Sequence, residues 1–137
     1  MSSLRLYEHH PNWDRALDVL RSVLPDATGF DADLLPSPEA SRFELDGRSE
    51  VDIALDLVLR ADEFIGELVV VNDGSYQPTN TGPLFVEGPR LLEVIERYPE
   101  QFDSCFFNGD VWIVEPARNR IVVVHHSEVL LEVRGHD

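Results

Sequence analysis

The sequence predicts a single α+β domain over residues 1–137, in which an antiparallel β-sheet carries two main helices. Between Cys105 and Val133, short apolar runs are separated by turn signals, the pattern of a C-terminal β-meander. Two segments, 13–24 and 89–98, instead place apolar residues at helical spacing. A chain of 137 residues without a repeat, low-complexity tract or linker is typical of one domain.

The predicted meander has two clear turns. Asn108-Gly109 has the composition of a type I′ hairpin turn, because both residues tolerate positive φ. The stretch 115–119 contains Pro116, which lacks the N–H that a strand ladder needs and therefore belongs in a loop. Residues 126–128 are expected to form a third turn or a bulge.

The N-terminal part is predicted to contain a strand, a helix and a loop. Residues 4–7 form the short strand. The helix covers 13–24, with Asn12 as N-cap and Pro25 as its stop. The stretch 26–41 is rich in glycine and proline and is predicted to be a loop, which at this length in a compact domain is usually functional or mobile.

Residues 51–60 are open to two interpretations. Apolar residues alternate with Asp52 and Asp56, a period-two pattern typical of a strand. A helix with Ser49 as N-cap also fits the apolar spacing. We favour the strand because the alternation is the cleaner pattern, which makes residues 43–47 the start of a hairpin.

The remaining elements are a strand, a return to the core and a second helix. The strand covers 64–71 and is followed by a polar loop over 76–83. Residues 84–86 then return to the core. Pro89 is expected at the first position of the second helix, where its missing N–H removes no hydrogen bond, and Pro99 is expected to end that helix.

Charge is the strongest compositional feature of the chain. Twenty-six acidic residues oppose eleven basic ones, all of them arginine, for a net charge of −15. This charge repels nucleic acid and anionic membranes, so neither is expected as a partner, and it favours a basic protein. Arginine without lysine indicates a GC-rich, bacterial coding background. We expect a cytoplasmic protein, because no signal peptide or membrane-spanning run is present; the sequence specifies no oligomeric state.

No catalytic motif is recognisable in the sequence. Cys105 is expected to be a small core residue, and its alternative role is that of a nucleophile with His125 as base. The adjacent pairs His9-His10 and His125-His126 are expected to point to opposite faces of a strand, so neither pair offers both rings to one metal. Phosphate-binding and H-E-x-x-H motifs are absent. The sequence therefore predicts no catalytic residue, no cofactor and no metal.

Acidic side chains on loops and strand faces are the candidate partner-binding residues. Asp52 and Asp56 share one face of the predicted strand, roughly 7 Å apart. Tyr76, in a polar loop, is the aromatic residue best placed to anchor a partner, whereas Trp13 and Trp112 are expected in the core. The predicted contact residues are Asp31, Asp33, Glu44, Asp46, Asp52, Asp56, Asp73 and Tyr76.

The chain resembles the immunity proteins of bacterial polymorphic-toxin and contact-dependent inhibition systems. The resemblance rests on small size, an acidic α+β domain without a catalytic motif, and the segments F-F-N-G-D-V and V-V-V-H-H-S-E-V within residues 102–133. It implies a cytoplasmic, non-enzymatic inhibitor of one toxin domain, often a basic nuclease, and carries over no contact residue. The alternative is a small enzyme or ligand-binding domain with a pocket between helices and sheet, and the third hypothesis is a DNA mimic.

Overall fold

The computed structural model confirms the predicted α+β class. It describes residues 12–31, 35, 39–45, 47–60, 64–75, 82–102, 106–107 and 109–135, with Leu59 and Arg60 as backbone alone. Within these residues the helices are α1 (Asn12–Val23), α2 (Glu50–Arg60) and α3 (Leu91–Phe102). The strands are β1 (Glu39–Arg42), β2 (Glu67–Val71), β3 (Leu84–Glu87), β4 (Val111–Glu115), β5 (Arg120–His125) and β6 (Val129–Arg134).

The strands form one antiparallel sheet in the order β1-β6-β5-β4-β2-β3. Because β4, β5 and β6 are consecutive in the chain and adjacent in the sheet, the predicted C-terminal meander is confirmed. Its turns lie at 116–119 and 126–128, as predicted. β2 and β4 are also antiparallel neighbours, so the end of β2, the start of β4 and the end of β5 lie at the same end of the sheet.

Both faces of the sheet are buried. On one face, Val70 and Ile113 pack with Leu57 of α2 and Ile95 of α3. On the other face, the alternate strand residues pack against α1 through side chains such as Trp13. Strands covered on both sides read as continuous apolar runs, which explains the V-V-V of β2 and β5.

Helix α1 is confirmed, and both tryptophans lie in the core as expected. The buried residues of α1 recur at helical spacing; they are Trp13, Ala16, Leu20 and Val23. Phe30, from the following loop, contacts Trp112 edge-on with ring centroids 5.5 Å apart. Burial of a large apolar side chain contributes about 1.5–3 kcal/mol, so this aromatic contact helps to hold the loop on the sheet.

The strand interpretation of residues 51–60 is wrong, because they form α2. The backbone N–H of Asp52 donates to Oγ of Ser49 at 3.2 Å, which satisfies a donor of the first helical turn. The buried side chains of α2 follow helical spacing; they are Ile53, Ala54 and Leu57. Val51 and Leu55, which completed the period-two pattern, are instead exposed. The described fold therefore has three helices rather than two.

The predicted end of the second helix at Pro99 is also wrong, because α3 continues to Phe102. A proline inside a helix removes one backbone hydrogen bond. The ring of Tyr98 is buried and packs against Phe102 and Phe106 at centroid distances of 4.7 and 5.5 Å, which holds the last turn on the core. The helix also starts two residues later than predicted, because Pro89 lies in a 3₁₀ turn over Gly88–Arg90 and α3 begins at Leu91.

The remaining corrections concern strand ends. The hairpin predicted to begin at 43–47 does not form. β1 ends at Arg42 and pairs with β6, and residues 43–45 belong to no strand. Residues 106–107 form a bend rather than a strand, although Gly109 has the positive φ (70°) expected at the next turn.

The loop predicted over 26–41 gives way to β1 from residue 39 onward, and β2 begins three residues later than predicted. The predictions for residues 4–7, 76–81 and Asn108 lie outside the described residues.

A buried ion pair crosses the meander at the end where β4 finishes and β5 begins. Nε of Arg120 donates to Oε1 of Glu115 at 2.8 Å, and both side chains are at most 1% exposed. Oε2 of Glu115 accepts a hydrogen bond from the backbone N–H of Ile65 at 2.7 Å. Glu132 adds a second carboxylate, 3.6 Å from Nη1 of Arg120. These contacts tie the loop before β2 to the centre of the sheet.

Candidate functional site

Carboxylates and histidines gather at the opposite end of the sheet, where β2 and β5 finish and β4 begins. Asp73 follows β2, Asp110 immediately precedes β4, and His125 is the last residue of β5. The N-terminus of α2 and the segment 43–45 reach the same end through the contacts given below. We call this surface the acidic end; it comprises Glu44, Glu50, Asp52, Asp56, Asp73, Asp110, His125, His126 and Glu128.

One carboxylate of the acidic end faces two histidine rings. Nδ1 of His126 lies 2.6 Å from Oδ1 of Asp110, and the backbone N–H of His126 donates to the same oxygen at 2.9 Å. Nε2 of His125 lies 3.8 Å from Oδ2. The two rings stack with centroids 4.2 Å apart. The ligand atoms of these three side chains all lie within 4.8 Å of one another, so the group can hold a metal ion.

The prediction that the rings of adjacent histidines point to opposite faces is therefore wrong for His125 and His126. His125 ends β5, whereas His126 begins a turn in which Glu128 takes a left-handed conformation (φ 64°). The strict alternation of side chains holds along a strand and is lost where the chain leaves it. The turn brings both rings to the side of Asp110.

Ser127 fixes the orientation of the His125 ring. Its backbone N–H donates to Nδ1 of His125 at 3.2 Å, and its Oγ lies 2.6 Å from the same nitrogen. In the neutral ring the backbone contact favours the proton on Nε2, the nitrogen that faces Asp110. The hydroxyl can either donate to Nδ1 or accept from it, so the contact is available in both tautomers.

Asp73 lies beside this group because Gly109 leaves room for its carboxylate. A Cβ atom on Gly109 would overlap the Asp73 carboxylate, and the φ of +70° at Gly109 is one that other residues rarely adopt. Burial against its neighbours raises the pKa of Asp73, repulsion from the Asp110 carboxylate raises it further, and attraction to His126 opposes the rise. The repulsion from Asp110 means that the two carboxylates act on each other electrostatically.

A buried polar network positions Asp73. Nδ2 of Asn72 donates to the backbone carbonyl of Phe106 at 2.6 Å. The backbone N–H of Asn72 donates to Oγ of Ser75 at 3.1 Å, which closes the turn that contains Asp73. The hydroxyl of Tyr98 donates to Oδ1 of Asn72 at 3.4 Å. Asn72 therefore links the end of β2, α3 and the segment that leads to Gly109.

Arg48 brings together three of the predicted contact residues. Its guanidinium donates to the backbone carbonyls of Glu44 (3.1 Å) and Asp52 (2.8 Å) and to the carboxylate of Asp56 (3.2 Å). Asp52 and Asp56 do share a face, as predicted, but at the i, i+4 spacing of a helix rather than on a strand. The guanidinium bonds the backbone oxygens of Glu44 and Asp52 rather than their carboxylates, and both residues are exposed. The Glu44 carboxylate lies 3.4 Å from Nη2 of Arg42 in an exposed pair.

Two hydrogen bonds join α2 and the segment 43–45 to the histidine group. Oε2 of Glu50, at the start of α2, accepts from the backbone N–H of Phe107 at 2.7 Å, two residues before Gly109. Oε2 of Glu128 accepts from the backbone N–H of Leu45 at 3.1 Å. These bonds bring the acids of α2 and of the segment 43–45 to the end of the sheet that carries Asp110 and the histidines.

The predicted contact residues divide into three groups. Glu44, Asp52, Asp56 and Asp73 lie at the acidic end. Asp31 lies elsewhere, on a cavity of about 520 Å³ between the end of α1, the following loop and the sheet, which is also lined by Trp112 and Arg134. The predictions for Asp33, Asp46 and Tyr76, and for Cys105, lie outside the described residues.

Sequence reasoning missed Asp110 and the two histidines as members of one group. The signal was present in the meander itself. Val111 pairs with Val124, so the residue before β4 and the last residue of β5 are neighbours across the ladder. Applying that register to the F-F-N-G-D-V and V-V-V-H-H-S-E-V segments places Asp110 beside His125.

By its fold and this site, the chain is an α+β protein with an antiparallel sheet covered on both faces and a strongly acidic surface at one end. Comparison with protein-family models, with curated proteins and with solved structures finds no match. No helix among the described residues combines the length and the apolar character that crossing a membrane requires.

Proposed function

We propose that this chain is a non-enzymatic binding protein that neutralises a cognate toxin domain, in the manner of an immunity protein, by docking its acidic end on a basic surface. The net charge of −15 supplies the long-range attraction. Complementary charge of this kind raises the association rate and selects the partner. The proposal places the protein in the cytoplasm of a bacterium, with a protein rather than nucleic acid or membrane as its partner.

The observation that carries the proposal is that nearly all described arginine side chains already pair with carboxylates of the same chain. Apart from Arg21, whose guanidinium donates to the carbonyl of Ala27, every arginine side chain that the structure describes lies within 4.0 Å of a carboxylate. At the acidic end, the described guanidinium groups that pair with carboxylates are those of Arg42 and Arg48. Among the described residues, these two arginines and the two histidines face seven carboxylates, so negative charge remains in excess there and is available to a positively charged partner.

Apolar surface next to these acids supports the same proposal. Val51 and Leu55 lie one helical turn apart on α2 and are 37% and 45% exposed. Asp52 lies between them in sequence and is also exposed. Protein interfaces combine an apolar centre with a polar rim, and the exposed side of α2 offers both kinds of contact. This side of α2 is therefore the part of the acidic end that we expect to contact the partner.

The proposal is tested by charge-neutral variants of the acidic end. The full chain is co-expressed with the toxin domain encoded beside it, and binding is measured at low and high salt. The double variant Glu44→Gln/Asp52→Asn should slow association several-fold and reduce protection of the cells. The control Asp14→Asn/Asp18→Asn removes the same charge from the exposed side of α1, on the other face of the sheet, and should act less.

Two results would reject the proposal. The first is an equal effect of the two double variants, which would mean that net charge alone matters and that the acidic end is not the contact surface. The second is the absence of a basic toxin domain among the products of neighbouring genes or, where one is encoded, binding to it that does not weaken as salt rises.

A second candidate function, ligand binding, is favoured by the cavity that Trp112 lines. Its volume of about 520 Å³ falls in the range of small-molecule sites. Leu35 and Val23 supply apolar lining, and Arg134 and Asp31 supply charge. Binding of 1-anilinonaphthalene-8-sulfonate, abolished by Ala27→Trp in a chain that stays folded, would support this function, whereas unchanged binding would reject the cavity as its location.

A further inference from the structure

We propose that Asp110, His125 and His126 form a binding site for a divalent transition-metal ion of the Zn²⁺ class. This inference goes beyond the proposed docking function and does not depend on it. It rests on the convergence of one carboxylate and two imidazoles on a common point, with all their ligand atoms within 4.8 Å of one another.

The geometry needs little adjustment to accept an ion. Ligands of tetrahedral zinc lie at about 2.0–2.2 Å from the metal, which separates any two of them by roughly 3.3 Å. Oδ1 of Asp110 lies 2.6 Å from Nδ1 of His126, and Oδ2 lies 3.8 Å from Nε2 of His125. A carboxylate that binds through one oxygen uses only one of these two contacts. No two ligand atoms of the group lie more than 4.8 Å apart, so adjustments of at most about 1.5 Å between any pair bring them to tetrahedral spacing.

The surroundings of the three side chains suit a metal site. Metal-bound histidines usually donate their second ring N–H to a neighbouring acceptor, which orients the ring. Oγ of Ser127 lies 2.6 Å from Nδ1 of His125 and can accept that hydrogen bond when Nε2 binds the ion, in which case Nδ1 no longer accepts from the backbone N–H of Ser127. The carboxylate of Asp73 lies near Asp110 and adds negative charge beside the site, although it is not one of the three proposed ligands.

The donor set selects the kind of ion. Two imidazole nitrogens and one carboxylate oxygen suit Zn²⁺, Co²⁺ and Ni²⁺, whereas Mg²⁺ and Ca²⁺ prefer oxygen ligands alone. An ion held here would bridge the end of β5 to the residue that precedes β4. It would also replace the contact between Oδ1 of Asp110 and Nδ1 of His126.

The experiment titrates the full chain, without an affinity tag, with Zn²⁺ by calorimetry in the presence of excess Mg²⁺. We expect one Zn²⁺ per chain and an increase in melting temperature on binding, because an ion that binds only the folded state stabilises it. His126→Gln and His125→Gln should each lower the affinity at least about tenfold, because loss of only a hydrogen-bond partner of a metal ligand already has an effect of that size.

The control is the other adjacent histidine pair of the same chain. His9→Gln/His10→Gln removes two imidazoles and should leave the affinity unchanged. Equal loss in this variant and in His126→Gln would overturn the site, as would the absence of Zn²⁺ binding to the unaltered chain. Circular dichroism establishes that each variant is folded.

A second measurement needs no variant. Co²⁺ bound to the unaltered chain should give the intense visible absorption of a tetrahedral nitrogen and oxygen site. It should also broaden the NMR signals of His125, His126 and Asp110 before those of any other histidine. Broadening centred on His9, His10 or His136 would reject the proposal even if one ion binds per chain.

Discussion

The side-chain amide of Asn72 donates a 2.6 Å hydrogen bond to the backbone carbonyl of Phe106, and both residues are at most 1% exposed. This bond joins the end of β2 to the segment that precedes β4. It sets the distance between Asp73 and Gly109, and through Gly109 the position of Asp110. The geometry of the acidic end therefore depends on a buried polar contact several residues away from the charged groups.

Replacement of Asn72 by aspartate should destabilise the protein. The carboxylate has nearly the same shape as the amide but cannot donate to the Phe106 carbonyl, and a buried group left without its partner costs about 1–3 kcal/mol. Urea unfolding measures the loss. Asn12→Asp is the control, because it makes the same change at an exposed residue in the first turn of α1, where a negative charge is favourable. A loss no greater than that of the control would contradict the role given to Asn72.

Replacement of Gly109 by alanine should cost more than replacement of Gly47. Both glycines have a positive φ, 70° and 73°, for which a Cβ costs about 1–2 kcal/mol. A Cβ at Gly47 meets nothing within 4 Å, whereas at Gly109 it overlaps the Asp73 carboxylate. Chemical denaturation should therefore show a larger loss for Gly109→Ala, together with shifted NMR signals of Asp73. Equal losses would mean that Asp73 moves aside freely.

Asp73 should oppose folding at neutral pH. Because its pKa is raised in the folded protein, the folded state holds its proton up to a higher pH than the unfolded chain does. The contribution of Asp73 to the free energy of unfolding therefore falls as pH rises from the ordinary pKa of 3.8 to the raised value. Asp73→Asn should raise the melting temperature of the metal-free protein at pH 7. The gain should disappear below pH 3; a lower melting temperature at pH 7 would contradict the shift.

The buried ion pair at the other end of the sheet should be sensitive to the loss of one partner. Arg120→Met leaves the Glu115 carboxylate buried with its charge uncompensated by that guanidinium, and breaking a buried pair typically costs about 3–5 kcal/mol. Arg42→Met removes an arginine from an exposed pair with Glu44, and such pairs contribute about 0–1 kcal/mol. Similar losses of stability in both variants would show that the cost of breaking an ion pair does not depend on its burial here.

The pKa of Glu93 should depend on its neighbour Arg90. The hydrogen bond from Nη2 of Arg90 to Oε1 of Glu93, at 2.9 Å, lowers the pKa of that carboxyl below its ordinary value of 4.5. Arg90→Gln should raise the pKa measured by NMR. Arg97→Gln should raise it less, because Nε of Arg97 lies 4.0 Å from Oε1. The stability that the pair contributes should be present above pH 4.5 and be lost as pH falls through the lowered pKa.

The sequence determined the fold class and most of the elements. Apolar runs without alternation indicated the strands of the meander, and the apolar stripe of α1 placed Trp13 in the core. These signals are local, because burial on one or both sides dictates the residue pattern along a single element. The charge of −15 is likewise a property of composition alone.

Only the tertiary structure decided between strand and helix for residues 51–60. Apolar residues at nearly every second position satisfy both periods, and which of them are buried depends on packing against the sheet and α3. The same is true of the end of α3, where contacts of Tyr98 outweigh the missing hydrogen bond of Pro99. Propensity is a weak guide wherever long-range contacts compete with it.

The group at the acidic end depended most on tertiary structure. Asp73, Asp110 and His126 come from three separate turns, and their proximity follows from strand register and from the Asn72 network. A linear pattern records which side chains are present, but the distance between side chains on different strands is set by how the strands pair. For this protein the sequence therefore determined the scaffold and its charge, and the pairing of β2, β4 and β5 determined where that charge and the two imidazoles meet.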